Sequence, residues 1–160
     1  MNPSDIIVIL LAAMIPIGEL RLAIPLAIFS LNMAWYIALP VAFVGNLLPV
    51  LIIIVSLDRI ANFFTGFENP LGSLILWYKR RNLDVHSNKF KKYGPFALII
   101  LVAIPLPMTG AWTGSFAAWL FGIPNRKAFI LISIGLVIAG LIVTMISVAG
   151  FTFLISDPRV

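Results

Sequence analysis

Glu19 and Arg21 stand two residues apart in a segment, from Ile6 to Leu57, that holds no other charged side chain. A carboxylate in such surroundings can exchange a proton or bind a cationic group. A guanidinium beside it can tune that exchange or hold an anionic group. An ionisable residue near the centre of a membrane helix costs about 2.5–3.5 kcal/mol on insertion scales, so functional burial is its usual explanation. The alternative is structural, an ion pair that holds a broken backbone in place. Pro16, Gly18 and Pro25 surround the two charges and mark that break. Proline removes a donor and crowds the preceding turn, and glycine adds backbone freedom.

A second cluster, without charge, comprises Pro105, Pro107, Thr109, Gly110, Trp112, Thr113 and Gly114. Its hydroxyls and freed backbone groups can line a polar cavity, and Trp112 can stack on a flat or cationic ligand. Close packing is the competing reading, because Gly110 and Gly114 have the spacing that lets helices approach. Asn46, inside an apolar span, needs a partner and is expected to bond another helix.

Other chemistries find little support. The chain has no cysteine, which excludes disulfides, thiolate metal sites and a cysteine nucleophile. His86 is the only histidine and sits in a basic loop without a second set of metal ligands. Paired catalytic carboxylates are missing, because Glu19 is the one acid in the long apolar stretches. No glycine-rich phosphate loop occurs. Neither catalytic residues nor a metal or cofactor site is therefore assigned, and an enzyme is not expected.

The elements that carry these residues follow from composition. Of the 160 residues, 61% are hydrophobic and 11% charged, against about 45–50% and about 25% in soluble domains. The mean hydropathy is +1.09. The excess apolar surface must face lipid. A net charge of +5 does not point to nucleic acid, because seven of the eleven Lys and Arg lie between Asp58 and Pro95. Clusters beside apolar spans set membrane orientation and meet anionic headgroups. Met1–Asp5 lacks the basic region of a signal peptide, so residues from Ile6 onward are read as part of the fold.

Four stretches, Ile6–Leu31, Met33–Leu57, Phe96–Ile123 and Ala128–Ile155, each exceed the ~20 residues of one crossing. The first and third are broken by the two clusters into pieces that suit re-entrant segments. The second and fourth read as spans, with Pro40, Gly45, Asn46 and Pro49 expected to bend the second. Arg126 and Lys127 form a second basic loop after the third stretch. Basic loops belong inside, so Phe96–Ile123 starts and ends on the same side and is a hairpin. Both termini then lie outside. Ile15-Pro16 matches Ile104-Pro105, and Gly45 follows Pro16 by 29 positions as Gly135 follows Pro105 by 30.

The predicted fold is an all-α integral membrane domain of two inverted repeats. Each is a re-entrant helical hairpin plus one transmembrane helix, over 5–57 and 96–155. Residues 58–95 join them as an amphipathic cytoplasmic segment. There Lys79, Arg80, Arg81, Lys89, Lys91 and Lys92 are expected to contact lipid headgroups, or else only to fix topology. Broken helices meeting near the midplane are the design of many secondary transporters.

Ile17–Pro25, reading IGELRLAIP, and Val102–Gly114, reading VAIPLPMTGAWTG, resemble the signatures of the small multidrug export family. That family is similar to the wider DedA (VTT-domain) membrane proteins. The resemblance covers nearly the whole chain and implies two facing re-entrant hairpins and transport. Glu19 would match the acidic residue of the first hairpin in the wider group. That group typically has an arginine in its second hairpin, and Phe96–Ile123 has none.

The leading expectation is a multi-pass transporter of the cytoplasmic membrane, proton-coupled, for a small amphipathic or cationic compound. Glu19, Arg21, Thr109, Thr113 and Trp112 would form its site. A lipid or lipid-phosphate carrier flippase, with Arg21 on the phosphate, is the alternative within transport. A non-transporting scaffold whose basic loop recruits partners or lipids is the third. Two spans are few for transport, so a homodimer is expected, with Gly135, Gly140 or the Gly110–Gly114 surface as contacts.

Overall fold

The computed structural model describes residues 2–65, 88–106 and 109–156. These residues form helices α1 (Pro3–Met14), α2 (Glu19–Pro25), α3 (Trp35–Thr65), α4 (Asn88–Ala103), α5 (Ala111–Leu120) and α6 (Asn125–Ser156). No strand occurs among the described residues.

Local sequence explains the starts and stops. Pro3 occupies the first turn of α1, where its missing N–H is no loss. The Asn2 N–H donates to the Asp5 carboxylate at 3.2 Å and closes the helix start. Pro16 disfavours helical backbone at the residue before it, and Ile15 is extended with φ −71° and ψ 131°. The chain turns through residues 15–18 and re-enters helix at Glu19. Pro25 closes α2 and is followed by a π-helical turn, Leu26–Ser30. The second stretch of mixed proline and glycine interrupts the chain between α4 and α5 in the same way.

Pro40 and Pro49 lie inside α3 without ending it. The connection predicted to begin at Asp58 and end at Pro95 is shorter than its apolar boundaries imply. Helix α3 runs on to Thr65 and α4 starts at Asn88. Backbone hydrogen bonding propagates beyond the end of an apolar run, whose edge marks a change of surroundings and not a loss of helix.

Trp35–Leu57 and Asn125–Phe153 are long and apolar enough to cross a bilayer. On α3, Ala38, Ala42, Asn46, Val50 and Ile54 are buried at four-residue spacing, while Val44, Leu48, Leu51, Ile52 and Val55 are exposed. Helix α6 repeats the pattern, with Ala128, Ile132, Leu136, Ala139 and Val143 inside and Ile130, Ile134, Val137, Met145 and Ile146 outside. Both faces are largely apolar, but the inner faces also hold Asn46, Thr144 and Ser147. Ala38, Ala42, Ala128 and Ala139 keep the inner faces partly small, as expected where packing rather than water exclusion joins helices.

Helix α1 packs on α3, and α4 on α6, through matching close approaches. A Cβ at Gly45 would lie 2.6 Å from the Leu10 carbonyl oxygen and 3.0 Å from Ala13 Cβ. At Gly135 it would lie 2.7 Å from Val102 Cβ and 3.1 Å from the Ile99 carbonyl oxygen. These contacts correct one expectation. Gly135 packs within the chain, Gly140 meets Leu39, and Gly114 meets Val102. Gly110 faces Glu19. The glycines expected at a dimer surface are occupied by intrachain packing.

Candidate functional site

The two breaks meet. Glu19, at the start of α2, has φ +50°, a left-handed conformation that non-glycine residues rarely adopt. It is only 5% exposed. Its carboxylate reaches across the fold to the start of α5. The Ala111 N–H donates to Oε2 and the Trp112 N–H to Oε1, both at 3.2 Å. The first N–H groups of a helix have no intrahelical acceptor, and the helix dipole favours negative charge there. Glu19 is thus a cap supplied from more than ninety positions away. Gly110, with φ +154°, makes room for it, because a Cβ there would fall on the Glu19 carboxylate.

Arg21 closes the other side of the same break. Its guanidinium donates to the carbonyl oxygen of Leu106, to that of Ile104 at 3.4 Å and to Thr109 Oγ1 at 3.3 Å. The Thr109 hydroxyl lies 2.9 Å from the Ile104 oxygen and 2.8 Å from the Leu106 oxygen. These carbonyls follow the last turn of α4, where proline prevents continuation and where positive charge is favoured. The first break therefore supplies an anion to the amides that open α5 and a cation to the carbonyls that end α4.

The structural alternative of a Glu19–Arg21 ion pair needs correction. No ion pair between them occurs among the described residues, and each charge is directed at backbone of the other half. Asn46 is wholly buried, and neither amide atom has a hydrogen bond of ordinary geometry. Its side chain lies against the Glu19 carboxyl group. Among the described residues five buried side-chain polar atoms lack a partner, and four of them belong to Arg21, Asn46 and Trp112. Unsatisfied polarity is thus concentrated around the clasp.

Residues 19–142 match the family described as Putative small multi-drug export protein. The chain belongs to that family. The match begins at Glu19, where the first break ends, takes in the second break and Trp35–Leu57, and covers Asn125–Phe153 as far as residue 142. The family's description is one of export and not of catalysis. Membership and the two apolar helices together make this a membrane protein. No curated protein and no solved structure matches the chain.

In this export-family member, the expected site residues fall into three groups. Glu19, Arg21, Thr109 and Gly110 meet directly, and Trp112 joins them through its backbone N–H, its indole Nε1 being buried without a partner. Thr113 is exposed on α5, and Gly114 is packed against Val102. Pro16, Gly18, Pro25 and Pro105 lie at or beside the helix ends, while Pro107 is outside the described residues. Lys79, Arg80 and Arg81 are also outside them, as are the side chains of Lys89, Lys91 and Lys92 on the first turns of α4. Asn46 was visible as an amide in an apolar span, but its neighbour Glu19 was not.

Proposed function

We propose that the protein is a proton-linked membrane transporter for a small amphipathic or cationic compound, with Glu19 as the titrating group. The observation that carries this reading is the clasp of Glu19 on the α5 amides. Ionised, the carboxylate accepts two charge-assisted hydrogen bonds and holds the two breaks together. Protonated or paired with a cation, it holds them less well. A group that can serve a proton, a cationic substrate or a helix end, but not all at once, can couple their movements. Irregular backbone at membrane depth survives where protein or water satisfies it, which fits a polar site at the meeting of two broken helices.

The same reading takes α1–α2 and α4–α5 as re-entrant hairpins and the two halves as inverted repeats. Support comes from packing: Leu10 and Ala13 stand to Gly45 as Ile99 and Val102 stand to Gly135, with Pro16 and Pro105 in register. Basic loops inside, termini outside and a homodimer complete the proposal. A phosphate held by Arg21, as the flippase reading requires, would compete with Leu106, Ile104 and Thr109 for the terminal nitrogens.

The test is reconstitution into liposomes with a panel of lipophilic cations. Substrate-driven proton flux is expected in the native protein and lost in Glu19→Gln. Undiminished flux in that variant would refute Glu19 as the coupling group.

A further inference from the structure

We propose that the groove between α3 and α6 at their basic end holds an anionic phospholipid, with one acyl chain along the helices and its phosphate on Arg59 and Arg126. The inference is independent of the part given to Glu19. Helices α3 and α6 pack on each other. Between them lies a cavity of about 240 Å³ lined by Leu51, Ile54, Val55, Asn125, Arg126 and Phe129. Leu51, Ile54, Val55 and Phe129 make its wall apolar, while Asn125 and Arg126 come from the first turn of α6.

Position decides what can fill it. Trp35–Leu57 and Asn125–Phe153 are the two bilayer-length segments. Leu51, Ile54 and Val55 belong to the last two turns of the first, and Phe129 to the second turn of the other. The apolar wall therefore lies at hydrocarbon depth, near one membrane surface. Leu51 and Val55 are exposed, and in a bilayer an acyl chain is what meets them. Arg59 follows Leu51 and Val55 by eight and four positions, which puts it on the same face of α3. It stands about 6 Å beyond Val55 along the helix, toward water. Arg59, Arg126 and Lys127 are all exposed.

Charge completes the fit. Residues 51–59 and 124–129 carry three cations, Arg59, Arg126 and Lys127, against one acid, Asp58. The first turn of α6 holds no acid, so its cations meet the positive end of the helix dipole without a carboxylate to offset them. An anion relieves that excess, and a guanidinium matches phosphate oxygens with two parallel hydrogen bonds. Basic pockets between transmembrane helices hold anionic headgroups in this way. A second copy of the chain is a poorer occupant, because a two-fold contact through this face would set the three cations against their own equivalents. Free phosphate would leave the apolar wall unused. The lipid instead meets both features, and touches one bilayer-length helix from each half of the chain.

The experiment is native mass spectrometry of the full chain released from nanodiscs of equal phosphatidylglycerol and phosphatidylcholine. The native protein is expected to retain phosphatidylglycerol in preference. Arg59→Gln/Arg126→Gln should lower that preference about tenfold or more. Leu51→Trp, which fills the groove and spares the cations, should also lower retention. Lys79→Gln/Arg80→Gln/Arg81→Gln should leave it unchanged. Equal retention of the two lipids by the native protein, or an undiminished preference in Arg59→Gln/Arg126→Gln, overturns the proposal. Displacement of the lipid by excess inorganic phosphate would make this an anion site only. A lipid-free dimer that Leu51→Trp converts to monomer would make the occupant a second copy. Either result also overturns it.

Discussion

A glutamate held at φ +50° sits in a conformation that costs on the order of 1–3 kcal/mol for a non-glycine residue. The two amides of α5 supply the compensation. Gly110 is the residue on which that exchange depends, since any Cβ would collide with the carboxylate. Gly110→Ala is therefore expected to destabilise the protein by at least about 1–3 kcal/mol, combining a disfavoured φ with a lost cap. Thermal unfolding in detergent would measure it. Thr109→Val removes the hydroxyl that joins Arg21 to the Ile104 and Leu106 carbonyls, and should cost less, about 0.5–1.5 kcal/mol. Equal losses for the two variants would mean that the glycine has no special role. The importance of Glu19 and Arg21 was legible in the sequence, because two charges in a long apolar run demand an explanation. Their targets were not legible. A pairing between residues more than eighty positions apart leaves no local trace, and adjacency on the chain pointed instead to an ion pair.

At the scale of elements, proline and glycine announced both interruptions, for a reason that is local: a missing donor and a crowded turn act wherever they occur. The ends of α3 and α4 were hidden, since helix continues into polar sequence at Thr65 and Asn88. Small residues were also only half informative. They announced close contact without naming the helix approached, and Gly135, Gly140 and Gly114 turned out to face their own chain. The matched packing of α1 on Gly45 and α4 on Gly135 gives a further prediction. Gly45→Leu and Gly135→Leu should each destabilise by about 1–3 kcal/mol through overpacking. Similar losses from the two are expected of related halves. If one substitution is harmless, the packing is not shared.

For the whole molecule, the proposed topology places Asp5 and Arg126 on opposite sides of the bilayer. The native chain contains no cysteine, so single-cysteine variants at these positions report without background. Asp5→Cys should react with a membrane-impermeant thiol reagent from outside the cell, and Arg126→Cys only after permeabilisation. Reaction of both from one side would break the inverted arrangement. The assembly rests on one junction more than on any other, the Glu19 cap on α5. Its direct measurement is the nuclear magnetic resonance of the Ala111 and Trp112 amides in lipid nanodiscs, with hydrogen exchange, in native protein and in Glu19→Gln. The account predicts that these two amides shift and exchange faster in the variant while amides late in α5 keep their positions. Unchanged shifts and protection at Ala111 and Trp112 would contradict it.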